Sequence, residues 1–195
     1  MPAKSLSLLC LCLSATLLLL GGCSTVQIQE SWRSTAAAAA APHKKLLIVN
    51  LNLDQQVRSM SENIIAGEMR DNGIDAVAGH TYVAIREQYS REELQTAVRK
   101  SGCDGILTIR GITTGNQQLH QQGQGTVLYS QGLLPSSWDD RQTATLQVNL
   151  YHAENGQLLW AATVKASDDD NKFIESRDMG YLLVKRLRQD GMVQP

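Results

Sequence analysis

Four cysteines and four histidines are the side chains of this 195-residue chain with the most chemistry to offer, and their spacing decides how much of it is usable. His43, His80, His120 and His152 have no histidine three or four residues away and no Cys or Glu at metal-ligand spacing, so the pattern supplies no zinc site. The expectation is no metal and no cofactor. His152 beside Glu154 in a turn and His120 in a Gln-rich stretch read as solvated side chains rather than general bases. "SDDDN" at 167–171 lacks the spaced ligands and central glycine of a calcium loop and reads as an acidic helix start. The turn "LNLDQQ" has no glycine to cradle a phosphate, and "GNQQLHQQGQG" lacks the Lys-Ser/Thr ending of a P-loop. No serine sits in a G-x-S-x-G frame. These readings predict a protein that is not an enzyme. Cys103, in "GCDGILTI", falls at the mouth of a strand and reads as a small core residue. Cys23 is different, because it ends an apolar run directly after two glycines.

The surroundings of Cys23 give it a definite reading. Lys4 supplies a positive start, and "LSLLCLCLSATLLLL" at 6–20 is uncharged and apolar; this is shorter than the roughly 20 residues a spanning helix needs. It reads as a signal peptide, residues 1–22. Leu20-Gly21-Gly22-Cys23 resembles the lipobox of bacterial lipoproteins. That resemblance implies that the Cys23 thiol takes a diacylglyceryl group as a thioether and becomes the first residue after cleavage, leaving Cys103 as the one free thiol. Each buried CH₂ contributes about 0.8 kcal/mol, so several acyl chains make attachment practically permanent. Ser24, rather than Asp, follows the cysteine. In enteric-type sorting this resembles release to the outer membrane, with the domain facing the periplasm.

The elements downstream must position any further chemistry. Formal net charge is −1, which offers no basic surplus for nucleic acid. Aromatics make up 5% of the chain, so the 43% of hydrophobic residues builds its core mainly from aliphatic side chains. Residues 23–45 carry the lipidated cysteine and an Ala-rich stretch closed by Pro42. They show no sustained period and read as a tether of roughly 25 Å root-mean-square reach. Trp32 lies within it and reads as folded back on the domain, with a membrane-interface anchor as the alternative.

A single domain is expected over 46–195. "LLIV" is a buried central strand, and the next helix carries Val57, Met60, Ile64 and Met69 inward, with Asp54 at its cap and Gly73 just past its end. "IDAVAG" is a second strand. A helix opened by the Ser90–Glu93 capping box and closed by Gly102 follows, and "CDGILTIRGI" is the third strand. Strands alternating with helices indicate right-handed crossovers and a parallel sheet. The two alternating runs around Asn155-Gly156 form an antiparallel hairpin, with Leu146, Val148 and Leu150 on one face, and Leu158, Trp160, Ala162 and Val164 sharing a face of the partner strand. A last helix over about 171–189 turns Phe173, Leu182, Leu183 and Leu187 inward and stops near Gly191. The fold class is α/β: a layered α/β/α domain with a mixed sheet of three parallel strands plus an antiparallel C-terminal hairpin, and a C-terminal helix.

"ESW", "KKLLIVNLNLDQQVRSMSENIIAGEMRDNGIDAV", "GCDGILTIR" and "NLYHAENGQLLWAATVKA" together resemble a family of small bacterial envelope lipoproteins of unassigned function, over most of residues 30–193. Their general plan is similar to the α/β modules of TolB-type N-terminal domains. The resemblance implies a fold and a location without an active site. What it leaves unexplained is 112–140, an insertion poor in charge and rich in Gln and Gly; an extra hairpin arm, a partner-binding arm and disorder are all compatible with it. As a binding arm it presents Tyr129, Leu133, Leu134 and Trp138 to an envelope protein. The expected function is therefore a non-enzymatic accessory or assembly factor, bound to the bilayer through acylated Cys23. The alternative is an envelope enzyme or small-ligand binder with its site at the carboxyl edge of the parallel strands, around Leu53, Asp54, Gly79, His80 and Arg110.

Overall fold

The computed structural model describes residues 26–38, 41–51, 54–84, 89–111, 143–167 and 172–194. Cys23, Leu53, His120 and the insertion residues Tyr129, Leu133, Leu134 and Trp138 lie outside them, as does the side chain of Phe173.

The described residues form six strands, β1 (Val26–Arg33), β2 (Lys45–Asn50), β3 (Asp75–Ala78), β4 (Gly105–Gly111), β5 (Thr143–His152) and β6 (Leu158–Ser167). Three α-helices accompany them: α1 (Gln55–Asp71), α2 (Arg91–Ser101) and α3 (Lys172–Gln189). One mixed sheet results, in the order β1-β6-β5-β4-β2-β3. β2 is parallel to both β3 and β4, as the alternation of strands and helices predicts. β5 and β6 form the antiparallel hairpin, paired through β5 to β4. Helices α1 and α3 pack against one face with Leu46, Ile48, Leu107, Ile109 and Trp160. Leu94 and Ala97 of α2 pack on the other with Leu47, Val49, Ile106 and Tyr151. This is the expected layered α/β/α arrangement.

Three expectations need correction. The tether over 23–45 is much shorter, because Val26–Arg33 is a strand paired with β6 from Val26↔Ala166 to Arg33↔Trp160. Its period-2 signal is broken by a bulge between Ile28 and Glu30, which shifts the alternation by one residue. Only Val26 and Ile28 join the apolar core, and the charged and polar side chains at Gln27, Gln29, Glu30 and Arg33 protect the edge. The alanines that follow are also part of the fold: Ser34 Oγ accepts from Ala37 N at 3.0 Å, and Ala37 is buried. The domain thus includes residues well before 46. Trp32 lies on this edge strand, 36% exposed.

The second correction concerns the hairpin. Val148, Leu150, Trp160, Ala162 and Val164 do share the core under α1 and α3, with Leu146 packed at its margin. Leu158 instead packs with Tyr151 and Ala153 in the opposite core. A register shift between Leu150 and Tyr151 places Leu150 opposite Trp160 but Tyr151 opposite Leu158, and an extra residue at that point turns the side chain to the other face.

The third concerns α1. Val57, Met60 and Ile64 are only half-buried, and the fully covered stripe is Arg58, Glu62, Ile65 and Met69. Met69 is buried as expected, while Arg58 and Ile65 lie one residue on from Val57 and Ile64, so the covered stripe keeps helical spacing but is rotated from the apolar pattern. Asp54 caps the helix as expected, its Oδ1 accepting from Gln56 N at 2.8 Å and Val57 N at 3.0 Å. Ser90 and Glu93 form the full capping box of α2, and Gly102 ends that helix with φ 67°.

At the far side, Asp190 gathers β1, β6 and α3. Its Oδ2 accepts from Trp160 Nε1 at 2.7 Å, Arg186 Nε at 3.0 Å and Ser31 Oγ at 3.3 Å. A side-chain methyl at Gly180 would come within 2.8 Å of Glu68 Cβ, so glycine permits the close crossing of α3 over α1.

His43 sits where the N-terminal crossing meets the C-terminal tail, its N donating to Met192 O at 2.9 Å. It is buried, with Nδ1 3.6 Å from Asp104 Oδ1 and, among the described residues, no partner for Nε2. The His152 ring meets it edge-on at 6.1 Å, so His152 belongs partly to the interior. Burial, with a smaller contribution from His152, pushes the His43 pKa below its ordinary 6.5 and outweighs the Asp104 carboxylate.

Two predictions follow from this packing. Trp160 is fully buried, so Trp160→Ala lowers stability by about 3–5 kcal/mol, measured as a fall in the urea midpoint. For His43 the unfolded chain takes up a proton at a pH where the folded chain does not. Its contribution is therefore intact above the ordinary pKa and is lost as pH falls through it towards the lower folded value. Between about pH 7.5 and about pH 5.5, the urea midpoint of the wild type should fall more steeply than that of His43→Gln.

Candidate functional site

The carboxyl edge of the parallel strands gathers the one cluster of fully buried charge on α1. β2 ends at Asn50, α1 returns over it, and the turn 79–81 after β3 presses against the same strand end. A side-chain methyl at Gly79 would lie 2.6 Å from Ile48 O and 2.9 Å from Val49 Cγ2. Only glycine lets the turn approach this closely, and that approach brings His80 to Glu62.

Glu62 is 0% exposed, and donors from three elements meet its carboxylate. Oε1 accepts from Asn50 N at 2.8 Å and Arg58 Nε at 2.8 Å. Oε2 accepts from His80 N at 2.5 Å and lies 3.0 Å from His80 Nδ1. Arg58 is equally buried and spends its other nitrogens on Tyr89 Oη at 2.6 Å and Val83 O at 3.1 Å. Asn50 Nδ2 donates to Ser61 Oγ at 2.6 Å. A buried charge pair is tolerated only when its remaining hydrogen-bonding capacity is met in this way.

The arrangement has one chemical outlet. The Nδ1 edge of His80 faces Glu62, which leaves Nε2 as the outward ring nitrogen, and the side chain is 28% exposed. A carboxylate-oriented imidazole of this kind is able to accept a proton or provide one ligand to a metal. Among the described residues no group of three His, Cys, Asp or Glu is placed to hold a metal ion.

The other residues expected at this edge have different employments. Asp54 is the α1 cap and Gly79 makes the close approach. Arg110 lies on the opposite face of the sheet from α1, because Leu107 and Ile109 occupy the α1 side of β4. There its Nη2 donates to Gln147 Oε1 at 2.5 Å, next to Asn149, whose Nδ2 donates to Tyr151 Oη at 3.1 Å. Burial lowers the Arg110 pKa. The structure thus unites His80 with Glu62 and Arg58, and separates Arg110 from them. Sequence reasoning missed Arg58 and Glu62; the available signal was an i,i+4 Arg/Glu pair in line with Ile65 and Met69. Cys103 is buried as expected, and that burial raises its thiol pKa.

No protein-family model matches the chain, and no curated protein matches it by sequence. Among solved structures it is similar to the PelC dodecamer from Paraburkholderia phytofirmans, at 13% identity and TM-score 0.46, covering 87% of this chain and 99% of that one. It is also similar to lipoprotein GNA1162 from Neisseria meningitidis, at 15% identity and TM-score 0.29, covering 75% and 96% of the two chains.

The cluster predicts an asymmetric mutational response. Glu62→Ala leaves the Arg58 cation buried without its counter-charge and should cost about 3–5 kcal/mol, whereas the double variant Arg58→Met with Glu62→Leu should cost much less. Urea unfolding of the two proteins measures both.

Proposed function

We propose that the chain is an acylated lipoprotein of the bacterial outer membrane, facing the periplasm, and that it serves as a non-enzymatic accessory or assembly factor binding an envelope protein. The observation that carries this reading is Leu20-Gly21-Gly22-Cys23 at the end of an uncharged apolar run behind Lys4. The carboxyl edge agrees with it: Asp54, Gly79, Arg58 and Glu62 are committed to a helix cap, a close backbone approach and a satisfied buried pair. In this reading the insertion residues Tyr129, Leu133, Leu134 and Trp138 supply the partner contact. Among the described residues no helix is long and apolar enough to cross a membrane, and acyl chains on Cys23 would supply the attachment.

A second reading is favoured by the Glu62–His80 contact. A partly exposed imidazole oriented by a buried carboxylate suits a small-ligand site at this edge. A ligand-dependent rise in melting temperature that His80→Ala abolishes would support it.

The primary reading predicts that Cys23→Ala abolishes incorporation of radiolabelled palmitate and leaves a full-length precursor, while the domain keeps its melting temperature. Undiminished label on the variant would overturn the lipoprotein assignment. Crosslinking in intact cells should then recover a specific envelope protein with the wild type and lose it when 115–138 are deleted.

A further inference from the structure

The position of β1 fixes which end of the domain meets the bilayer. This deepens the proposed anchoring through Cys23 and rests on it. Val26 is already paired with Ala166, so only Ser24 and Thr25 separate the cysteine from the sheet. Three Cα steps span at most about 11 Å. The lipid-bearing residue therefore stays close to the end of the sheet at which β1 begins.

That end is defined by the strand register. Val26 lies beside Ala166 of β6, Ser167 faces Thr143 of β5, and Leu146 of β5 faces Gly111 of β4. β4 and β2 run in parallel and both finish here, with Asn50 beside Ile109. It is the carboxyl edge of the parallel strands, the same edge that carries His80. Helices α1, α2 and α3 all begin at it, since each follows a strand that ends there. The hairpin turn after His152 lies at the opposite end, and ten-residue strands put it about 30 Å further away.

We infer that the domain docks on a zwitterionic phospholipid surface through the carboxyl edge of its parallel strands, with the 152–157 turn pointing away from the membrane. From Val26, β1 runs away from this edge to Arg33, so the strand leads lengthwise from the bilayer end into the domain. Affinity comes from the acyl chains, and the edge needs no basic patch. The formal net charge of −1 provides no basic surplus for a densely anionic surface. Trp32 lies six residues further along β1, about 20 Å up the strand, and so faces solvent or protein rather than serving as an interface anchor. Gly111 and Thr143, the described residues on either side of the insertion, both lie at this end.

The test uses the purified acylated protein in phosphatidylethanolamine–phosphatidylcholine vesicles containing a headgroup-nitroxide lipid. Acylated Cys23 has no free thiol and Cys103 is buried, so a fluorophore can be placed on single introduced cysteines. Gln56→Cys reports the carboxyl edge, Glu154→Cys the far turn and Thr35→Cys the far end of β1; all three positions are exposed. The Gln56 probe should be quenched severalfold more than the other two. Inserting about 20 Gly and Ser residues between Thr25 and Val26 adds roughly 25 Å of reach and should abolish the difference. Equal quenching at Gln56 and Glu154 would overturn the orientation, and so would quenching at Thr35 equal to that at Gln56, which places β1 flat on the surface. Vesicle flotation separates the two levels of the account. If Cys23→Ala floats as well as the wild type, the lipid anchor itself is wrong; if only the wild type floats but quenching is uniform, the orientation alone is wrong.

Discussion

A carboxylate removed from water must be met by donors, and the burial of Glu62 organises the parallel half of this fold. Its two oxygens take the β2 terminus at Asn50, the guanidinium of Arg58 and the turn at His80. One side chain thereby fixes the end of β2, the rotation of α1 and the approach of the β3 turn. Gly79 is required because the turn touches Ile48 backbone. Arg58 extends the same constraint to Val83 and Tyr89. Buried pairs in general contribute little net stability over an apolar replacement, but any other rotation of α1 would strand a charge in the core.

The antiparallel half obeys a second constraint, the coverage of β6. Without β1, β6 would be an open edge next to the apolar row of Trp160, Ala162 and Val164. β1 closes it, and Asp190 locks β1 and β6 to the end of α3 through Ser31, Trp160 and Arg186. Closure of the sheet also draws the N-terminal chain tightly to the domain. The structural solution to an exposed edge thus sets the short link on which the proposed membrane geometry depends.

Much of this was legible in the sequence where local chemistry has few alternatives. Asp54, Ser90 with Glu93, Gly102 and Asn155-Gly156 each marked a boundary correctly, because caps and tight turns depend on adjacent residues. The parallel order followed from unbroken apolar runs alternating with helices. Errors arose where a residue's face depends on distant partners. α1 has an apolar stripe at Val57, Met60 and Ile64, yet the buried stripe includes Arg58 and Glu62, whose partners come from Asn50, His80, Val83 and Tyr89. Bulges at Ile28/Glu30 and Leu150/Tyr151 interrupt alternation, hiding β1 and turning Leu158 to the other face. At the candidate site, His80 and Gly79 were legible from their place after a parallel strand, while Glu62 was masked by its helical context. Arg110 belongs to the same edge in sequence terms but to the opposite face in space.

The central claim is that Cys23 carries the lipid that anchors a domain beginning almost immediately after it. Intact-mass spectrometry of the protein extracted from bacterial membranes tests this directly. The account predicts a chain that starts at Cys23 and carries diacylglyceryl on its sulfur. An unmodified chain, or one starting upstream of Cys23 in the membrane-extracted protein, would contradict it.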